Sequence, residues 1–234
     1  RRPPRSARSG HSFVYIPAPF AESDRAVLVE FMTAHPLGTL VTGSPANGLY
    51  ATHLPLVYDA TTGAHGVLRG HIARANPHHV RAQDTSACLV VFTGADAYIT
   101  PGWYASKARH GKVVPTWNYV AVHVSGVIRF RDDREFLMAH LDALTTEHEA
   151  DQAHPWAMHD APAHFIEQLA KAIVGVEIEI VSLEGKWKMS QNRADEDIDG
   201  VISGLHASPL GMDQVVAAHV AARRPPKAPD KNSH

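Results

Sequence analysis

The stretch RGHIARANPHH, residues 69–79, gathers His71, Arg74 and Asn76 where an apolar strand gives way to Asn-Pro. Asn76 is a good helix N-cap and Pro77 suits the first helical position, so a helix is expected to begin there. The unpaired backbone N–H groups of a helix start favour an anion, and the planar fork of an arginine grips a phosphate. A phosphate site is one reading of this stretch; a strand end with solvated arginines is the other. A second basic cluster, GKWKMSQNR (185–193), supplies Lys186, Lys188, Gln191, Asn192 and Arg193. Strand-like alternation puts Lys186 and Lys188 on one face, with Trp187 and Met189 on the other. Together the clusters suit an anion pocket; the alternative is a sheet edge charged against unwanted pairing.

An aromatic constellation accompanies them. AYITPGWYASK places Tyr98, Trp103 and Tyr104 near a turn, and VVPTWNYVAVH places Trp117, Asn118 and Tyr119 at a strand start. Rings and an amide at the mouth of a barrel suit a flat, hydrogen-bonding heteroaromatic ligand, although such rings also serve as plain core. The chain holds 17 histidines. Four of them, His148, His154, His159 and His164, match neither HExxH nor the short zinc pairs, so surface histidines are expected there and no metal site. No catalytic acid–base set stands out. GxGxxG and Walker loops are missing from the sequence, so nucleotide binding by those routes is not indicated.

The elements that must position these groups are mostly strands. GTLVT, LYATHLPLVYD, GVLRGHI, ACLVVFTG and AYIT read as strands, and TWNYVAVHVSGVIRFRD is the longest, with Val120, Val122 and Val124 on one face. A late strand, VGVEIEIVS, alternates Val174, Val176, Ile178 and Ile180 with Glu177 and Glu179, so one face is buried and one wet. Helices are expected from Ser23 as cap through Leu28, Phe31 and Met32. Another runs from a capping box of Asp132 and Glu135 through Leu137, Leu141 and Leu144, and a third carries a stripe of Phe165, Leu169 and Ile173. MDQVVAAHVAAR adds a last amphipathic helix. Early strands that follow one another without crossover helices point to an antiparallel α+β architecture dominated by β, a barrel with helical decoration.

Composition bounds the rest. At 234 residues, 44% apolar and 20% charged, the chain is an ordinary globular mixture, and no apolar run is long enough to cross a bilayer. The single Cys88 lies in the apolar run ACLVVF and reads as a core residue; with no disulfide framework a reducing cytoplasm is expected. The first ten residues carry four Arg and the last twelve a net +3, so removing them from the overall −2 leaves −9 for residues 11–222. An acidic body does not wrap a nucleic-acid duplex without a basic face built for it.

Taken in order, YIPAPF, LYATHLPL, GHIARANP, AYITPGWY, VPTWNYVAVHVSG and GKWKMSQNR resemble the signature segments of the PaiB-type FMN-binding proteins. Those proteins are relatives of the pyridoxamine-phosphate-oxidase-like flavin-binding split barrels. The resemblance runs from about Phe13 to Leu205 and departs from the family at GADAYIT, where the Pro of a Gly-Pro is missing and Thr100 stands in for Ser. It implies an antiparallel FMN-binding split β-barrel with flanking helices over 13–205. A basic disordered tail (1–12) would precede it, and a C-terminal helix and tail (206–234) would follow. It implies FMN held without a covalent bond, with cofactor sites at a homodimer interface. His71, Arg74 and Asn76 would lie at the FMN phosphate, with Lys188, Gln191 and Arg193 adding donors. Trp117 and Asn118, with Tyr98 and Thr100, would lie beside the ring. The family is commonly labelled a negative transcriptional regulator of sporulation and protease genes. A flavin-dependent oxidoreductase acting on a small molecule is the alternative, and haem handling a third. No helix-turn-helix is evident, so direct contact with DNA has no support from motif or charge.

Overall fold

The computed structural model describes residues 14–44, 48–82 and 86–226. The expected basic tail (1–12) and the Pro/Lys-rich end beyond residue 226 lie outside them. Eight strands make one antiparallel sheet: β1 (Ala21–Glu22), β2 (Leu37–Ser44), β3 (Gly48–Pro55), β4 (Val57–Asp59), β5 (Val67–Ala73), β6 (Ser86–Ile99), β7 (Thr116–Arg131) and β8 (Ile173–Lys188). Their order is β3-β2-β6-β7-β8-β5-β4, with β1 paired to β8. The sheet curls until its two ends meet across Gly70. A Cβ there would stand 2.9 Å from Leu54 and Leu56, so only glycine admits the approach. The inner face carries the core, with Leu40, Val90, Phe92, Val122, Val124, Val176 and Ile178 fully buried.

Alternation in β7 and β8 is as the sequence indicates. Val120, Val122 and Val124 face inward, and Trp187 and Met189 are buried while Lys188 is half-buried; Lys186 departs from the pattern, being buried with its Nζ on the Tyr15 carbonyl. The two runs expected around Thr93 are one strand, β6, 14 residues long and bulged between Thr93 and Asp96. The bulge explains why the hydrophobic alternation breaks there.

The helices bring several corrections. Helix α1 (Arg25–Ala34) is capped by Asp24, not Ser23: Asp24 Oδ1 accepts from the Ala26 N–H at 2.9 Å. After the short α2 (His78–Arg81) and α3 (Ser106–His110), helix α4 (Arg134–Glu149) is capped by Asp133, whose Oδ1 accepts from the Phe136 N–H. Asp132 instead pairs with Arg74. In α5 (Ala163–Ala170) the buried face is Ile166 and Ala170. Phe165 and Leu169 are 47% and 51% exposed, and Ile173 opens β8. Helix α6 (Asp195–His206) has no counterpart among the expected elements, and α7 (Gly211–Ala222) follows it. Val216, Ala217 and Val220 of α7 join Leu205 in the same core, so packing runs straight across the expected boundary at 205/206.

Candidate functional site

Three strand ends meet at one mouth of the barrel. Register pairs Tyr98 of β6 with Trp117 of β7, and Tyr119 of β7 with Lys188 of β8. Seven of the ten expected residues therefore gather in one place: Tyr98, Thr100, Trp117, Asn118, Lys188, Gln191 and Arg193. Tyr98 and Trp117 stand edge to face, ring centroids 5.8 Å apart, and remain 49% and 53% exposed. Asn118 points inward and is fully buried; its amide exchanges two hydrogen bonds with the Ser190 hydroxyl, at 3.1 and 3.2 Å. Ser190 adopts a left-handed backbone with φ of 63°, and this turns the chain so that residues 191–193 come back toward the mouth. Gln191 ties that turn down, accepting from Met189 N–H and donating to the Trp187 carbonyl at 2.6 Å. Thr100 caps the turn Pro101–Trp103 by accepting from Gly102 N–H.

The cations at this mouth have neutral partners. Lys188 Nζ donates to Thr116 Oγ1 and to the Trp117 carbonyl, both at 2.5 Å. Lys186 Nζ donates to the Tyr15 carbonyl and lies 5.2 Å from the Tyr119 ring centre. Arg193 lies over the Tyr104 ring at 4.6 Å, and its guanidinium offsets part of the rise that burial gives the Tyr104 hydroxyl pKa. Burial lowers the Lys188 pKa, and repulsion from Lys186 and Arg193 lowers it further. By contrast, Arg69, Arg74, Arg131, Arg134, Arg223 and Arg224 each face a carboxylate. Positive charge held close together on neutral oxygens and rings is the donor set of a site for an anion. Flanking aromatic faces suit a flat ring. The residues fit a phosphorylated flavin.

The other three expected residues lie elsewhere. His71 and Arg74 flank the start of β8, which β5 pairs from Ala73↔Ile173 onward, whereas Lys188 ends it. At about 3.3 Å per residue, a strand of this length has a contour on the order of 50 Å. Within one chain the two basic groups do not converge. Arg74 is moreover occupied: it pairs with Asp132 and donates to the carbonyls of Lys171 and Ile173, both at 2.8 Å. The bond to Asp132 raises its already high pKa. It clips the start of β8 to the start of α4. Asn76 donates to Thr52 Oγ1 and accepts from His78 N–H; the N-cap of the four-residue α2 is Pro77 and not Asn76, so the helix begins one residue later than expected. His78 is buried between the hydroxyls of Thr42 and Thr52, at 2.9 and 2.8 Å. The first donor expected at a free helix start, the His78 N–H, is satisfied inside the chain.

Residues 14–182 match the family model described as "Putative FMN-binding domain". This chain belongs to that FMN-binding family. FMN is accordingly its cofactor, and the curled antiparallel sheet is the split barrel of flavin-binding proteins. An uncharacterized protein of Emericella nidulans is 36% identical over 234 residues, spanning 86% of this chain and 92% of that one. The Bacillus subtilis protein named protease synthase and sporulation protein PAI 2 is 31% identical over 192 residues, spanning 82% and 89%. Among solved structures, the flavocytochrome Anf3 of Azotobacter vinelandii superposes with a TM-score of 0.55 at 13% identity, over 77% of this chain and 75% of that one. A conserved protein of Mycobacterium tuberculosis gives 0.54 at 14%, over 77% and 94%. These two likenesses concern the fold. Among the described residues, no helix is long and apolar enough to cross a membrane.

Several site groups escape a local reading. Ser190 matters through its left-handed backbone and its bond to Asn118, and Tyr104 through the guanidinium above it. Either could be suspected from its place in the family segments but not assigned a role. The histidines at 148, 154, 159 and 164 are all exposed.

Proposed function

We propose that the chain is an FMN-binding flavoprotein that works as a pair of copies, with each cofactor held between them. The phosphate lies against Lys188, Gln191 and Arg193 of one copy, with Lys186 beside them, and against His71 and Asn76 of the other. The ring lies beside Trp117, Asn118, Tyr98 and Thr100. Arg74 serves this site by fixing the loop that carries Asn76. The observation that carries the reading is the cluster of cations at the mouth on neutral partners, set against six arginines elsewhere that face carboxylates. Two copies are needed because one cofactor is far shorter than the strand separating the two groups. An apolar groove of about 770 Å³ on the outer face, lined by Val41, Leu49, Leu89, Val127 and Val181, gives a second copy a surface to cover. FMN supplies a redox-active ring; the protein binds, orients and shields it. Sedimentation of the flavin-loaded protein tests the pairing, and one tightly bound FMN on a single monomeric chain refutes it.

For biological role, the name of the Bacillus subtilis relative supports a regulator. The acidic body and the carboxylates facing its arginines argue that regulation runs through the flavin and protein contacts, without a duplex-reading surface. A flavin-dependent oxidoreductase is the second reading, favoured by the half-open Tyr98–Trp117 pair, which leaves a small molecule access to the ring. Bleaching by reduced nicotinamide and recolouring in air supports the enzyme. Flavin-loaded protein that ignores reductant yet shifts a promoter fragment at physiological salt supports a regulator that does contact DNA, against the indirect route.

A further inference from the structure

On the outer side of β5, His71 Nδ1 lies 3.0 Å from His140 Nε2 of α4, with the rings at 63°. His140 is 2% exposed, and its other nitrogen, Nδ1, is buried with no hydrogen-bond partner among the described residues. Phe136, on the preceding turn, stacks on the His140 ring with an interplanar angle of 21°. Phe136 in turn sits against Gly175, where a Cβ would stand 2.5 Å from its ring. Two imidazoles joined by one hydrogen bond require one ring to donate and the other to accept. His71 is the part-buried member of the pair, so a proton from solvent reaches it and not His140.

We infer that His140 is a positioning residue for FMN: it accepts from His71 Nδ1–H and so fixes His71 to take up one proton at Nε2 when the cofactor phosphate arrives. This rests on the placement of His71 at the phosphate under Proposed function. The proton comes from solvent, the bridging hydrogen bond stays as it is, and the resulting imidazolium donates Nε2–H to a phosphate oxygen. No bond to FMN forms or breaks. Burial supports the neutral starting state, lowering His71 and pushing His140 down to about 4, with His71 and Arg69 adding to the latter. Other charges face the pair. Arg69 of β5 bonds Asp59 of β4 and Glu177 of β8, while Arg131 of β7 bonds Glu177 and Asp133. Glu135 opens α4, and Arg74 pairs with Asp132 on the loop side. Carboxylates and guanidiniums hold their charge from pH 6.5 to 8.5. Nearby, His78 is tied to two threonines, and His79 Nδ1 lies 2.8 Å from the Asn76 carbonyl.

The sign follows from linkage. A dianion raises the pKa of a base beside it, so binding takes up a proton; affinity is full at low pH and falls as pH rises through the bound-state pKa. The test is FMN affinity by quenching of flavin fluorescence from pH 6.5 to 8.5, above the phosphate's own second pKa of about 6. Wild type is expected to weaken by up to about tenfold per pH unit over part of this range, the limit for one linked proton. Riboflavin, which lacks the phosphate, is expected to bind with no such slope. His140→Leu removes the acceptor and is expected to flatten the slope, whereas His140→Gln, whose amide oxygen can accept, is expected to keep it. A flat wild-type profile for FMN, or the same slope for riboflavin, overturns the inference without needing any variant. If His71→Ala leaves FMN affinity unchanged at every pH, the phosphate placement fails, and the inference with it.

Discussion

Replacing Lys188 with Met removes one charge from the barrel mouth while keeping a side chain of similar length. A lysine ammonium has three N–H donors, and two of these are taken by Thr116 Oγ1 and the Trp117 carbonyl. One donor is left for a phosphate oxygen. A single hydrogen bond to a charged group contributes about 1.5–3 kcal/mol, and about 1.4 kcal/mol is tenfold in affinity. The FMN dissociation constant should therefore rise roughly ten- to hundredfold. Stability should hardly fall, because Lys188 is repelled by Lys186 and Arg193 in the free protein and Met relieves that repulsion. Fluorescence titration of FMN and riboflavin on the folded variant separates the contributions, with riboflavin expected to bind as in wild type. An FMN constant within threefold of wild type, or an equal loss for riboflavin, would show that this lysine does not hold the phosphate.

Gly204→Ala should lower the melting temperature by several degrees, since its Cβ would stand 2.2 Å from the Trp103 ring and overpacking costs about 1–3 kcal/mol. An unchanged melting temperature would mean that α6 and Trp103 part easily. For the pH dependence of stability, His140 is held neutral in the fold with its pKa pushed down to about 4, against an unfolded value near 6.5. Its contribution is complete above about pH 6.5 and is lost as pH falls toward 4, because the unfolded chain binds the proton first. Urea midpoints should drop between pH 6.5 and 4.5, and His140→Leu should drop less; parallel curves would refute this. Burial pushes the Cys88 thiol up to about 12, so thiol-reactive reagents should label it only after unfolding. Rapid labelling of the native protein would contradict its place in the core.

Where one face of a strand is dry and the other wet, the sequence carried its own geometry. Val120 through Val124, and Trp187 against Lys188, could be placed by alternation alone. Helix α5 misled because Phe165 and Leu169 form an apolar pair that the fold leaves outside, and nothing local distinguishes it from a buried stripe. Helix α6 went unnoticed because four acids and two glycines resemble a loop. Yet Ile198, Val201 and Leu205 keep helical spacing, and the glycines make room for Trp103. Arg74 shows the limit of residue type as evidence. It is a residue that could grip phosphate, but its partner Asp132 lies 58 positions on and only the folded chain brings the two together. The same holds for His140, whose role depends on an imidazole 69 positions away.

Ser190 bends backward at a cost on the order of 1 kcal/mol that a glycine would escape, and its hydroxyl is what the interior amide of Asn118 holds. The charged rim is thus anchored from below, by an uncharged peg sunk in the barrel's lining. A change deep in that lining, at the amide that holds Ser190, displaces the rim's guanidinium as surely as a change in the rim itself. Tolerance to mutation in this molecule follows the wiring beneath the surface more closely than distance from the ligand.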